Sequence, residues 1–297
     1  MSKEETKQEM IDRYPMPYFS FSQLNSYLRC PETYRLTYLT GERIRRGNKY
    51  TELGSILHGV FERQGKNLAI DVEPFSKGEA IKMFNKNFMA LKGKDKTRVY
   101  FEDKDDFIKL YQKGIKAINN YYEMYENEKP IFVERQFKKS IAEGLPPARS
   151  YIDRIDGNPH SPSSWVITDY KTGGSPKSKQ YLRDDFQLAL YACQLYKEYG
   201  AYPKAVQFVH PVPQKTQTAI HQGDGVYKFT GQRTPAVQFN VADTIIFIRD
   251  TIADIVRAID ENDFPLVIDS WGCKNCFFFQ DGTCKPFDKQ EKGWGNI

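Results

Sequence analysis

Residues 166–173, Val-Ile-Thr-Asp-Tyr-Lys-Thr-Gly, decide how this chain is read. An apolar and β-branched run leads into Asp169 and Lys171 and stops at a Thr-Gly turn. In a strand, residues i and i+2 share a face, so the carboxylate and the ammonium project side by side. That pairing suits a place where a divalent cation and a phosphate meet. The carboxylate can hold the cation, while the lysine polarises a water or balances the phosphate. A plain salt pair on an edge strand fits the same two residues, so the flanking sequence has to decide.

Upstream, ARSYIDRID (148–156) reads as a second strand carrying Asp153, and IFVERQFKKSI (131–141) as a strand before it. The loop GNPHSPSS (157–164) is rich in turn formers and predicts a hairpin that brings Asp153 beside Asp169. Two such like charges repel unless a cation lies between them. Downstream, DDFQLALYACQLYKEYG (184–200) has a helical period, with Asp184 or Asp185 placed to cap it. Gln187 and Tyr191 are four apart and share one face of that helix. AVQFVHPVP (205–213) is a further strand, and VADTIIFIRDTIADIVRAIDEND (241–263) a long amphipathic helix.

Toward the N-terminus, SFSQLNSYLRCPETYRLTYL (20–39) predicts a helix entered at Ser20 or Ser22 and interrupted at Pro31. Leu24, Tyr27, Leu28, Tyr34 and Leu36 form its apolar stripe. GSILHGVFERQGKNLAI (54–70) is a second helix, carrying His58, a third potential ligand or an ordinary core histidine. Residues from about 76 to 128 read as two polar helices forming a lobe over the core. Helix, three strands, helix, strand makes the chain an α/β protein with elements before and after its core.

Composition excludes several classes. Twenty Phe, 19 Tyr and 3 Trp in 297 residues supply enough apolar surface to exclude general disorder. No apolar run approaches the ~18–20 residues of a membrane span. The polar opening MSKEETKQEMIDRYP has no signal core, so the expectation is a cytoplasmic protein of a bacterial, archaeal or virus-infected cell. The net charge of 43 − 38 = +5 permits nucleic-acid binding without requiring it. Its clearest cluster is Arg43, Arg45, Arg46 and Lys49, beside Tyr50.

The cysteines are placed tellingly. Cys273, Cys276 and Cys284 form a CxxC with a third thiol close behind, and Cys30 lies near the other end of the chain. This is a metal- or cluster-binding spacing that leaves one coordination position for Cys30. Four thiolates suit Zn²⁺ or an iron–sulfur centre. Cys193, inside an apolar helix, is a bystander.

Taken in order, Ser20-x-Ser22-x-x-Asn25-x-Tyr27-x-x-Cys30-Pro31, Gly54-x-x-x-His58, Asp153, Asp169-x-Lys171, Gln187-x-x-x-Tyr191 and the terminal cysteines resemble the RecB-like branch of the PD-(D/E)xK nucleases. The resemblance runs from about residue 18 to 287. It is nearest to members with an iron–sulfur cluster, such as the CRISPR-associated exonucleases and the AddB nuclease domain. It implies a restriction-endonuclease-like core, a mixed central sheet flanked by helices, within a single domain over 1–297. The catalytic core would lie at about 131–215, the lobe at about 76–128, and cluster-binding ends at 20–40 and 271–287.

The resemblance also implies roles. His58, Asp153, Asp169 and the Tyr170 carbonyl would hold Mg²⁺ or Mn²⁺. Lys171 would position the attacking water, supported by Gln187 and Tyr191, and Glu134 would stand in an outer shell. Cys30, Cys273, Cys276 and Cys284 would ligate a [4Fe–4S] cluster, with Zn²⁺ as the alternative. Two departures from the family pattern are Ser150, where a glycine is usual, and the seven residues between Cys276 and Cys284.

The function implied is a metal-dependent exonuclease on single-stranded DNA, serving recombination, repair, phage DNA metabolism or CRISPR-type adaptation. Tyr27, Tyr34 and Tyr50 are expected to help hold the strand. The alternative is a DNA-binding or adaptor subunit active only with a helicase or integrase. The chain has no GxxxxGK[ST] loop, so ATP-driven unwinding would come from such a partner.

Overall fold

Two short helices and a hairpin set the frame. The computed structural model describes residues 6–41, 48–91, 99, 101–231, 235–269, 272–273 and 275–284. Arg43, Arg45 and Arg46, and positions 285–287 of the expected cluster-binding end, lie outside the described residues. Strands β2 (Ala148–Asp156) and β3 (Val166–Tyr170) pair antiparallel, joined by the turn-rich 157–164 loop. β1 (Phe132–Lys139) flanks β2 antiparallel, and β4 (Ala205–His210) runs parallel to β3. A parallel neighbour needs a crossover, made here by α7 (Lys179–Asp184) and α8 (Gln187–Tyr199).

The sheet continues through β5 (Lys215–Gly223), β6 (Val226–Phe229) and β7 (Gln238–Asn240), giving seven strands in sequence order. These last three strands lie beyond the elements expected from the sequence. The result is a mixed α/β sheet with helices on both faces, consistent with a restriction-endonuclease-like core.

One face is covered by α1 (Lys7–Asp12), α2 (Phe21–Arg29), α8 and α9 (Val241–Glu261). Leu24, Ile152, Ile167, Leu190 and Ile252 are buried there. The other face carries a lobe of three helices, α4 (Lys49–Ala69), α5 (Lys77–Ala90) and α6 (Lys104–Tyr125), of which α5 and α6 fall in the stretch of about 76–128 read as helical and α4 lies before it. Its Leu57, Phe61, Phe84 and Tyr121 pack with Tyr170 of β3 and Val209 of β4. Each fully buried apolar side chain of this size contributes about 1.5–3 kcal/mol by leaving water.

Local rules explain the entry helices. Ser20 caps α2 by accepting from the Gln23 N–H, and Cys30 ends it with an extended backbone. Pro31 then starts α3 (Pro31–Tyr34), which runs into a π-helical turn, Arg35–Leu39. Leu28 is a correction to the expected apolar stripe, being 43% exposed. Asp185, rather than Asp184, receives the Gln187 N–H at the start of α8. No helix among the described residues is long and apolar enough to cross a membrane.

Candidate active site

β2 and β3 pair only as far as Arg154 and Thr168, and beyond that point they separate. Asp153 fills the split, its Oδ2 accepting the Tyr170 N–H at 2.6 Å. Its Oδ1 lies 3.2 Å from His58 Nδ1, while His58 Nε2 lies 3.1 Å from the Tyr170 carbonyl. Two glycines let α4 bring His58 this close. A Cβ on Gly65 would stand 2.9 Å from a Val133 methyl of β1, and one on Gly54 would stand 3.2 Å from the Thr172 hydroxyl. α4 is thus pressed onto the sheet on either side of the histidine.

Glu134 completes this group. Val133 pairs with Arg154 and Arg135 with Ile152, so Glu134 falls opposite Asp153, yet its φ of +50° takes it out of the ladder. A non-glycine residue in left-handed backbone within a strand is strained, and such strain collects at functional sites. Ligand atoms of His58, Glu134 and Asp153 all lie within 4.8 Å of one another. Burial, with the charges of Asp153 and Glu62, pushes the Glu134 carboxyl up to about 7. Burial opposes charge on His58, but Asp153, with Asp169 and Glu134, overcomes it and pushes the imidazole up to about 9. These are anions short of positive charge, and the donor set of one imidazole and two carboxylates fits a divalent cation. The resemblance puts Glu134 only in an outer shell; cross-strand register and its positive φ bring it into the group.

The other half of the site faces α8. Lys171 Nζ is 2.6 Å from Asp169 Oδ2 and donates to Gln187 Oε1 at 2.8 Å. Gln187 Nε2 donates to Asp169 Oδ1 at 2.8 Å, and the Tyr191 hydroxyl reaches the same oxygen at 3.0 Å. Burial opposes the charge of Lys171, but Asp169, with Asp185 and Asp153, outweighs it and holds the lysine as an ammonium. Gln187 is itself anchored. Asp185 accepts its N–H at 2.8 Å and is ion-paired with Lys177, whose backbone is gripped by Gln217. Lys177 and Asp185 as part of this support were not foreseen, since the chain 177–185–187 closes only in three dimensions.

Both halves open into one cleft of about 1140 Å³, walled by α2, α4 and the loop after β3. Of the tyrosines expected to hold a strand, Tyr50 lines this cleft and is 49% exposed. Tyr34 does not: it is completely buried beside Tyr14, which corrects that expectation. Tyr27 is half-buried, its hydroxyl donating to the Asp254 carbonyl of α9 at 3.2 Å. Ser150 is buried at the cleft wall, where the family pattern has glycine.

The junction of α2 and α3 meets the segment that carries the later cysteines. Cys30 sits between α2 and α3, and the Thr33 hydroxyl lies 4.0 Å from Cys276 Sγ. Burial, followed by the charges of Cys276, Cys30, Glu32 and Cys273, pushes the Cys284 thiol up to about 11. The long gap before Cys284 contains the one-turn helix α10 (Phe277–Gln280). The Cys284 N–H then returns to the Phe278 carbonyl at 2.6 Å. Cys193 is apart from these four, buried in α8 against the Ile141 carbonyl.

No curated protein matches the chain. The model of the PD-(D/E)XK nuclease superfamily matches residues 18–279, from just before α2 through Cys276 into α10. The match spans both halves of the cleft floor and every strand of the sheet, and by it the chain belongs to the PD-(D/E)XK nuclease superfamily.

Proposed function

We propose that this chain is a divalent-metal-dependent deoxyribonuclease of the RecB-like type, working from an end of single-stranded DNA. The observation that carries the reading is the juxtaposition of a cation-seeking group, His58, Glu134 and Asp153, with the Asp169–Lys171 pair across the split between β2 and β3. The Tyr170 carbonyl lies against His58, and with Asp169 it would complete the donor set. Mg²⁺ or Mn²⁺ held there would supply Lewis-acid stabilisation of charge on the phosphate oxygens.

The chain's own residues do the rest. Hydrolysis joins a water oxygen to phosphorus, breaks the bond to the leaving oxygen and delivers the proton of water to the products. Lys171 is held as an ammonium, so it orients the water and offsets charge on the phosphate rather than accepting a proton. Gln187 fixes the ammonium and Asp169 together, and Tyr191 fixes Asp169 from behind. A preorganised cation of this kind needs no rearrangement when charge develops.

We read Cys30, Cys273, Cys276 and Cys284 as ligands of a [4Fe–4S] cluster in preference to Zn²⁺, on their spacing and on the resemblance. Its contribution is mechanical, because Cys30 and Cys273 are 273 − 30 = 243 positions apart. Closing so long a loop stabilises by about 4–5 kcal/mol in the chain-entropy picture. Cys30→Ala is expected to lose the cluster's visible absorption and lower the unfolding temperature. An unchanged spectrum and melting curve would remove Cys30 from the ligand set.

The test of function is cleavage of single-stranded DNA labelled at either end, with Mn²⁺ or Mg²⁺, by anaerobically purified protein and its Lys171→Ala variant. Metal-dependent release of one end label, lost in the variant, is expected. No cleavage by folded, cluster-loaded protein would favour a subunit that works only with a helicase or integrase.

A further inference from the structure

Beyond the catalytic group, one stretch of the sheet is left uncovered by the lobe. On β2, Asp153, Tyr151 and Arg149 follow one another at i, i−2 and i−4 and so share a face. On β1, Glu134, Gln136 and Lys138 lie opposite them; Gln136 pairs with Tyr151 and Lys138 with Arg149. The face therefore grades from acidic, through a neutral polar row, to basic. Asp153 and Arg149 are separated by about 13 Å along the strand. Arg149, Tyr151 and Asp153 all line the same cleft.

Each row shows a definite arrangement. The Tyr151 ring is 49% exposed, unusual for a large aromatic in the interior of a strand, and its hydroxyl is tethered by Gln136 Nε2 at 2.9 Å. At the basic end the Arg149 guanidinium lies 3.8 Å from the Tyr18 ring centroid, with the Lys138 ammonium 5.5 Å from the same ring. Among the described residues neither cation has a carboxylate partner. An exposed, orientation-locked aromatic followed by unneutralised cations is what an unpaired, negatively charged strand requires: a face for a base and charge for its phosphates.

We infer that Tyr151 and Arg149, with Lys138, form a strand-binding track on the open face of β1 and β2, where Tyr151 stacks a base and Arg149 holds a phosphate of an unpaired nucleic-acid strand whose end lies at Asp153. The inference rests on the nuclease reading and extends it, by placing the substrate on this side of the catalytic group and by tying single-strand selectivity to one side chain. A base inside a duplex has no free face to offer Tyr151, so duplex ends gain little from the track.

The test separates binding from hydrolysis. Fluorescence anisotropy with a dye-labelled polythymidine strand is measured in the Lys171→Ala background, alone and combined with Tyr151→Ala, Tyr151→Phe or Arg149→Ala. Tyr151→Ala is expected to weaken binding roughly tenfold and Tyr151→Phe to restore it, since the phenyl ring keeps the stacking face. Arg149→Ala is expected to reduce the salt dependence by about one ion. In the otherwise wild-type enzyme Tyr151→Ala should raise KM for the strand while leaving kcat within twofold. Unchanged affinity in both Tyr151→Ala and Arg149→Ala, or a loss in Tyr151→Phe as large as in Tyr151→Ala, would overturn the track. If wild-type protein hydrolyses nothing, the nuclease reading fails by itself, and the anisotropy series still decides where a strand binds.

Discussion

The two halves of the cleft floor hold similar charges and balance them differently. On the α8 side, Asp169 is matched by Lys171 at 2.6 Å, and Gln187 and Tyr191 satisfy its remaining oxygen. On the α4 side, Glu134 and Asp153 face each other beside His58, and both Glu134 and His58 are pushed toward their protonated forms. One half carries its cation as a side chain; the other is built to receive one. On the proposed reading this difference divides the work: Lys171 would be permanent electrostatic equipment, and the His58 group a loading site for the cation.

The largest effect expected from breaking this division is at Lys171. Lys171→Ala should lower kcat by roughly 10²–10³-fold, the usual consequence of removing one preorganised charge stabiliser. Mn²⁺ affinity should not fall, because Asp169 is then an additional unpaired anion; a parallel loss of metal binding would show that the halves are not separate. Next comes Asp185, which anchors Gln187 and pairs with Lys177. Asp185→Ala should reduce kcat roughly tenfold by letting Gln187, and with it Lys171, drift from place. Asp185→Asn should recover part of it, since an amide oxygen can still receive the Gln187 N–H.

Glu134→Gln sharpens the comparison from the other side. Removing one of two facing carboxylates should raise the unfolding temperature of the metal-free protein and weaken Mn²⁺ binding roughly tenfold. An equal loss of melting temperature with and without metal would make Glu134 structural. The smallest effect is one of pH. His58 and Glu134 must shed their protons to become ligands, and their affinities for those protons are raised to about 9 and about 7. Apparent Mn²⁺ affinity should therefore climb as pH rises from below 7 toward 9, with protons released on binding. A pH-independent affinity, measured by calorimetry in two buffers, would contradict that account.

How far the sequence could be read depended on whether a signal was local. The hairpin of β2 and β3 was legible because apolar runs flank a loop dense in Gly, Pro and Ser, and α8 because its apolar period is unbroken. β5 was harder, because KTQTAIHQG buries only Ala219 fully, so its polar alternation looks like a loop. α1 carries a local signal, since Thr6 and Glu9 form a reciprocal capping box. Asp153, Asp169 and Lys171 stood out through spacing along strands. The closeness of Glu134 depends on a positive φ and on cross-strand register, neither of which has a local signature. Tyr34 shows the converse error, since an aromatic beside a basic segment reads the same in sequence whether it faces a strand or the core.

The measurement that tests the account most directly is calorimetric titration of Mn²⁺ into wild-type protein, Asp153→Asn and Lys171→Ala, with end-labelled strand cleavage scored on the same samples. Saturable binding is expected in wild type, loss of both binding and cleavage in Asp153→Asn, and retained binding without cleavage in Lys171→Ala. Equal binding by wild type and Asp153→Asn would contradict this, because the His58, Glu134 and Asp153 group would then not be where the cation goes.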